Sequence, residues 1–525
     1  MTNSFDELEH ANCIFAIGSN TTSAHPLVAA RLFQAKANGN TLIVVDPRKT
    51  HIARLADVHI QHQLGTDVAL LNGMMHVIYK NGWHNQAFIE ERTENFDALV
   101  EMIEQYPPER AAEITGVDAS TIIKVAEIFA KSDASSIIYC LGITQHWTAV
   151  DNVKSLANLA MLCGQIGRAS TGVNPLRGQN NVQGACDMGG LPNVYPGYQV
   201  VTVPEIQQKF EAAWGRKMSP KVGLTILEMM QGCIDGKIKG MVILGENPVV
   251  SDPDSNHVKH ALESAEFFMA IDIFPTPTTQ LAHLVLPAAS FAEVDGTFSN
   301  SERRVQRVRK AIEPVAGKTN WQTIQELSTL LDYPMHYDSA QGIFDEMASV
   351  TPSYGGISYS RIEDNGLCWP CPTPDHPGTP ILHIGKFSRG RGLFHGIEYK
   401  PPAETPDSDY PFWMTTGTEF AHYLTGTMTR RCEHLDREMP ELVTDLNPED
   451  GERLQIAHGD YIRVSSRRGT LISRVQLSER VKPGMIFMPL HFEEAAANLL
   501  TNPAMDPISK TPEYKVCAVR LEKVG

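Results

Sequence analysis

The chain has 525 residues, 42% of them hydrophobic, which is enough for several buried cores and about three domains of ordinary size. A formal net charge of −16 argues against a nucleic-acid or acidic-membrane partner, because phosphate backbones are held by clustered Lys and Arg. No run approaches the roughly eighteen uninterrupted apolar residues of a membrane span, and residues 1–10 are acidic and polar rather than a secretory signal, so a soluble chain is expected.

The first elements follow a nucleotide-binding pattern. An apolar strand over 13–17 runs into Gly18-Ser19-Asn20, and after a helix-length segment at 26–36 a second strand, 42–45, runs into Asp46-Pro47-Arg48. A third apolar run, 57–60, begins eleven residues beyond Asp46 and leads to Leu64-Gly65-Thr66-Asp67. Continuous apolar strands separated by helix-length segments point to a parallel sheet buried on both faces. Ligands of such sheets sit beyond the carboxyl ends of the strands, where a glycine turn takes phosphates and an acid takes a ribose or base.

Next comes a further apolar run, 136–141, with the polar exit Gly142-Ile143-Thr144-Gln145. The segment 150–163 carries apolar residues at helical spacing, Val153, Leu156, Ala157 and Ala160 among them, and stops at Gly164. That face is core, and His146 and Trp147 at its start read as packed residues.

The stretch 177–190, RGQNNVQGACDMGG, has too much amide and glycine to be an ordinary core helix or strand. Four glycines let the backbone approach a bound group, and four side-chain amides surround one cation, Arg177. A guanidinium grips a carboxylate through two parallel hydrogen bonds, so the run reads as a site for a small anion.

The opening pattern then recurs. Residues 241–244 meet Gly245-Glu246-Asn247, residues 267–271 meet Asp272, and eleven residues further on lies the run 283–287, followed by Asp295-Gly296-Thr297-Phe298. The glycine-to-aspartate spacings are 28 and 27, so two nucleotide-like ligands are implied. Nine cysteines lie scattered singly apart from Cys368 and Cys371, without a disulfide framework or a cluster-binding set of four, and a reducing compartment is expected. The Cys368/Cys371 pair, beside Pro and Gly, reads as a turn.

A proline-rich linker at 401–406 precedes an all-β module. Its strands are expected at 411–416, 461–466, 470–475 and 485–488, with Arg468-Gly469 and Lys482-Pro483-Gly484 as hairpin turns. The loops at 417–423 and 497–501 are candidates to close over a ligand.

These residues carry a resemblance. From end to end the chain resembles the catalytic subunits of molybdenum- or tungsten-dependent formate dehydrogenases within the molybdopterin oxidoreductase family, most specifically in the run 174–190. The resemblance implies an α/β fold class: two doubly wound dinucleotide-binding-like domains, 1–179 and 180–400, followed by a C-terminal β-barrel of double-psi type, 401–525. It implies a bis-molybdopterin guanine dinucleotide cofactor with Mo or W. Gly18, Asn20, Asp46, Arg48, Gly65 and Asp67 would contact one dinucleotide, with Gly142 and Gln145 near its pterin. Gly245, Glu246, Asn247 and Asp272 would contact the other, and Thr418, His422, Asn498, Tyr514 and Lys515 would close over the pterins. The segment 283–306 is similar to a family signature but carries His283 where an aspartate is usual. Arg177 would fix formate, with Gln179 and Asn180 orienting it.

By the same resemblance, partners would be formate or carbon dioxide, iron-sulfur electron-transfer subunits and a hydrogenase, and the location the cytoplasm. Similar enzymes carry a four-iron four-sulfur cluster and a metal-ligating selenocysteine or cysteine in an N-terminal region. Neither is found in this sequence, so no metal ligand is assigned and the chain is expected to be a fragment or separate subunit. Two other readings remain open here: another molybdopterin oxyanion reductase, or a non-catalytic scaffold subunit.

Overall fold

The apolar run at 13–17 forms β1 (Cys13–Ile17), every residue of it buried, at the centre of a five-stranded parallel sheet. Beside it lie β2 (Thr41–Val45) and then β3 (Val58–Ile60) on one side, with β4 (Ser135–Tyr139) and β5 (Gly172–Pro175) on the other. Helix α1 (Pro26–Ala37), with proline at its first turn, covers one face through Val28 and Leu32. Three helices cover the opposite face: α2 (Asp67–Lys80), α3 (Ala119–Lys131) and α4 (Ala149–Leu162). The helix expected over 150–163 is α4, and Gly164 at φ +65° turns the chain out of it.

The polar exit at 142–145 differs from expectation. The strand ends at Tyr139, and residues 141–144 coil into one helical turn, because the Gly142 amide donates to Gly18 O at 3.0 Å and pulls the two backbones together.

The second copy forms its own parallel sheet from β6 (Gly240–Leu244), β7 (Phe267–Asp272) and β8 (Leu284–Pro287), in the order β8-β7-β6 that matches β3-β2-β1. The correspondence extends to single hydrogen bonds. Gly18 N donates to Val45 O at 2.9 Å and Gly245 N to Ile271 O at 2.8 Å, while Asp57 N reaches Leu42 O and His283 N reaches Phe268 O, both at 2.8 Å. Two expectations fail here. Burial on both faces holds for the first sheet only, since Val242 and Leu244 of β6 are 53% and 40% exposed. The repeat also ends after its third strand: residues 64–67 lead into α2, whereas β9 (Gly296–Ser299) pairs with β10 (Arg304–Val308) as an antiparallel hairpin.

The C-terminal module closes into a six-stranded barrel of β11 (Phe412–Gly417), β12 (Val443–Leu446), β13 (Tyr461–Ser465), β14 (Thr470–Leu477), β15 (Met485–Pro489) and β16 (Cys517–Lys523), ordered β11-β15-β12-β14-β13-β16. Closure leaves no sheet edge to pair wrongly. Arg468-Gly469 is the expected hairpin turn between β13 and β14. Lys482-Pro483-Gly484 is a turn, with Met485 N on Lys482 O, but not a hairpin: β12 lies between the strands it joins. A turn signature fixes local geometry and leaves strand order to the core.

The structure, a computed structural model, describes residues 1–524 and divides into two units. One comprises residues 1–176, 250–256 and 381–525, so the first sheet and the barrel share it; the other comprises 177–249 and 257–380. All nine cysteines are free, with Cys368 and Cys371 buried. Among the described residues, no group of three or more His, Cys, Asp or Glu is placed to hold a metal, and no helix is long and apolar enough to cross a membrane.

Candidate cofactor and substrate sites

At the carboxyl ends of β1 and β2 the first unit gathers most of the residues expected there. Gly18 and Gly142 are glycine of necessity: a Cβ on Gly18 would lie 2.7 Å from the Gly142 carbonyl carbon, and Gly18 itself sits at φ +58°. Asp46 Oδ1 accepts the Arg48 backbone amide at 2.9 Å, and the Arg48 guanidinium lies 3.7 Å over the ring of Phe487 in β15. Gly65, at φ +73°, packs against Pro402. Asp67 opens α2 and is bound by His62 at 3.1 Å; burial works to raise its carboxyl, but the His62 charge and hydrogen bond hold it below the usual range. Lys515 is half-buried beside them, its ammonium donating to Thr416 O at 2.8 Å and its amide to Gln145 O at 3.3 Å. Burial, with Arg48 close by, lowers the Lys515 amine to about 8.

Three buried polar atoms at these strand ends, Ser19 Oγ, Thr21 Oγ1 and Arg48 Nη1, have no hydrogen-bond partner in the protein. Buried polar groups are nearly always paired, so two hydroxyls and one guanidinium nitrogen left unpaired together fit an anionic, phosphate-bearing ligand.

The second unit repeats the arrangement more sparely. Gly245 is at φ +65° with open space where a side chain would stand. Asn247 accepts Thr278 Oγ1 at 2.7 Å while its buried Nδ2 has no protein partner, and Asp272 receives the Ile273 amide at 2.6 Å. Glu246 is exposed in the loop between Gly245 and Asn247. His283 lies elsewhere. It stands at the amino end of the sheet, where its Nδ1 accepts the Phe268 amide at 3.0 Å just as Asp57 Oδ2 accepts the Leu42 amide at 2.7 Å. Its departure from the aspartate pattern is therefore a change of cap, remote from the strand ends that take ligands.

Arg177 belongs to the second unit. Its amide donates to Ser301 Oγ at 2.9 Å and its Nε to Gln183 Oε1 at 3.0 Å. Gln183 lies on α5 (Val182–Asp187), a short helix inside the glycine-rich run that sequence reasoning did not anticipate. Asn181 starts that helix at φ +59° and accepts the Ser299 amide at 3.0 Å, which ties the run to β9. Gln183 rather than Gln179 is thus the amide on the Arg177 Nε. The Gln179 side chain is exposed, because α5 folds position 183 back toward position 177.

In the barrel, the expected residues hold loops. His422 is bonded to Thr429 Oγ1 at 3.2 Å and Met439 O at 2.7 Å, and Asn498 Nδ2 donates to Val250 O and Ser251 O at 3.0 and 2.8 Å. Thr418 lies half-buried at the end of β11, and Tyr514 O accepts Thr416 Oγ1 at 2.9 Å. Sequence reasoning missed His491, which is fully buried, accepts the Glu419 amide at 2.9 Å and is lowered by burial to about 4. A lone histidine after a strand carries no sequence signal for that role.

Two phosphate-type strand ends built on one repeated α/β plan, together with a closed barrel whose Lys515 and Phe487 reach the first of them, define a dinucleotide-cofactor protein. The family described as Molybdopterin oxidoreductase matches residues 1–330, and the Molydopterin dinucleotide binding domain matches residues 412–518. The chain belongs to the molybdopterin oxidoreductase family. It is 49% identical over 530 residues to the F420-dependent formate dehydrogenase subunit alpha of Methanocaldococcus jannaschii, covering 100% of this chain and 78% of that protein. It is 40% identical over 533 residues to formate dehydrogenase H of Escherichia coli, covering 100% and 74%. Among solved structures, acetylene hydratase from Pelobacter acetylenicus shares the fold with a TM-score of 0.79 at 20% identity, over 99% of this chain and 79% of that one.

Proposed function

We propose that this chain is the catalytic subunit of a formate dehydrogenase, converting formate to carbon dioxide, a proton and two electrons, or the reverse, and passing the electrons to iron-sulfur partners. The observation that carries the reading is the fastening of Arg177. Gln183 holds its Nε, which fixes the direction of the guanidinium, and a carboxylate bound here would be met by the Nη groups in a set orientation. Fixed orientation is what a substrate of three heavy atoms needs, since only the direction of its C–H bond distinguishes a productive pose.

The cofactor expected is a bis-molybdopterin guanine dinucleotide with Mo or W. Residues 1–179 would hold one dinucleotide through Gly18, Asn20, Asp46, Arg48, Gly65 and Asp67, and residues 180–400 the other through Gly245, Glu246, Asn247 and Asp272. Gly142, Gln145 and Lys515 would meet the first, and the loops carrying Thr418, His422, Asn498 and Tyr514 would close over the pterins. When bound, the group supplies the redox centre that takes up the two electrons. The chain's own part is to orient formate and to balance phosphate charge with Arg48 and Lys515. The iron-sulfur partners would carry the two electrons away, and the setting proposed is the cytoplasm.

The test is formate-dependent dye reduction by the native complex, with metal analysis, against nitrate as the competing substrate. Arg177→Ala is expected to raise the formate KM by about two to four orders of magnitude, from two charge-assisted hydrogen bonds worth roughly 1.5–3 kcal/mol each. Near-normal formate kinetics in that variant would remove Arg177 from the site. Nitrate reduction without formate oxidation would replace the reading with an oxyanion reductase.

A further inference from the structure

We propose that Asp187 is the positioning residue for Arg177, acting through the amide of Gln183, with Tyr198, Tyr354 and Trp369 locking its carboxylate for that task. The inference deepens the formate reading and rests on it.

Asp187 has no exposed surface, yet its carboxylate takes four donors. Oδ1 accepts Gln183 Nε2 at 2.8 Å and Tyr198 OH at 3.0 Å; Oδ2 accepts Trp369 Nε1 at 2.8 Å and the Tyr354 hydroxyl. Four donors from segments up to 182 residues apart are an expensive way to satisfy a side chain that an apolar residue could replace. The arrangement is explained by what a carboxylate cannot do. It only accepts, so the Gln183 amide must turn its NH2 toward Asp187.

Both Gln183 hydrogens are then used, one on Asp187 Oδ1 and one on Tyr198 OH at 2.8 Å, and the Oε1 is aimed at Arg177 Nε. An amide is nearly symmetric in shape, and without the carboxylate it could present either end to the guanidinium; only its oxygen can hold Nε. Gln183 and Asp187 stand four residues apart on α5, the spacing that puts two side chains on one helix face. Burial first, and then the Asp187 charge, push the Tyr198 and Tyr354 phenols well above their ordinary range, so both remain donors at neutral pH.

The test uses the native complex with Asp187→Asn, Gln183→Leu and the double variant Asp187→Asn/Gln183→Glu. Asp187→Asn should raise the formate KM about 10- to 100-fold, the range of one hydrogen bond to a charged group, with a smaller change in kcat. Gln183→Leu, which leaves Asp187 intact, should do the same. In the double variant the amide at 187 donates to the carboxylate at 183, which accepts Arg177 Nε, and the KM should return to within about threefold of the parent, as expected when coupled partners are exchanged together. Unchanged KM in both single variants, or a double variant no better than Asp187→Asn alone, would overturn the proposal. A crystal structure of Asp187→Asn separates this inference from the activity it rests on. If the parent does not oxidise formate, the formate reading falls, whereas an Arg177 Nε to Gln183 Oε1 bond that stays at its present 3.0 Å in Asp187→Asn refutes the positioning role whatever the substrate.

Discussion

Glu513 should make the first unit less stable as the pH rises through neutrality. Its side chain is completely buried, accepting the Ala403 amide at 3.2 Å, Asn502 Nδ2 at 3.3 Å and, more weakly, the Trp147 amide at 3.5 Å. Burial outweighs those donors and pushes its carboxyl from 4.5 up to about 7. The folded state then binds the proton more tightly than the unfolded state does. The group is neutral to stability below about pH 4.5, costs progressively more between 4.5 and 7, and reaches a constant penalty above that window. A shift of this size corresponds to about 3 kcal/mol in full, of which about 2.5 kcal/mol develops between pH 5 and pH 8. Glu513→Gln keeps the shape and removes the titration. Its absolute stability also reflects altered hydrogen bonds, so the informative quantity is the difference between the two pH values. Hydrogen exchange read by mass spectrometry on peptides containing Trp147 and Ala403 reports this unit irrespective of the other. The variant should gain about 2.5 kcal/mol relative to the parent on going from pH 5 to pH 8. Equal pH dependence in the two proteins would show that Glu513 is already ionised in the folded state and that the three donors outweigh its burial.

Three further outcomes follow from the geometry. Gly18→Ala forces a side chain to φ +58° and to within 2.7 Å of backbone, so a loss of about 2–4 kcal/mol is expected in urea unfolding, and parental stability would refute the close approach. His283→Asp should leave the second sheet within about 0.5 kcal/mol of the parent, because a carboxylate can accept the Phe268 amide as Asp57 accepts that of Leu42, whereas His283→Ala should cost about 1 kcal/mol. Exchange protection of the Phe268 amide checks both, and equal protection in the alanine variant would dismiss the cap. Arg177→Lys keeps the charge but loses the planar fork, and should raise the formate KM about 10- to 100-fold; an unchanged KM would mean that charge alone suffices.

The repeat and the parallel sheets were legible in the sequence. Strands buried on both faces read as unbroken apolar runs, and the strand ends carry local signals, a positive φ at Gly18 and a turn amide bonded to Asp46, although the close approach of Gly142 to Gly18 is made only by the fold. Barrel strand β12 escaped notice because two of its four residues, Thr444 and Asp445, are polar and buried, which no alternation of hydropathy announces. The fastening of Arg177 was equally hidden. Sequence proximity pointed to Gln179 and Asn180; the turn of α5 adds Gln183 at Nε, and the carboxylate beside Gln183 is held by Tyr354 and Trp369 from 167 and 182 residues away. The chain by itself therefore determined which residue types stand at the strand ends. Which amide holds the arginine, and which way it faces, was decided by tertiary structure, because hydrogen-bond direction depends on every partner of a buried group and those partners meet only when the fold closes.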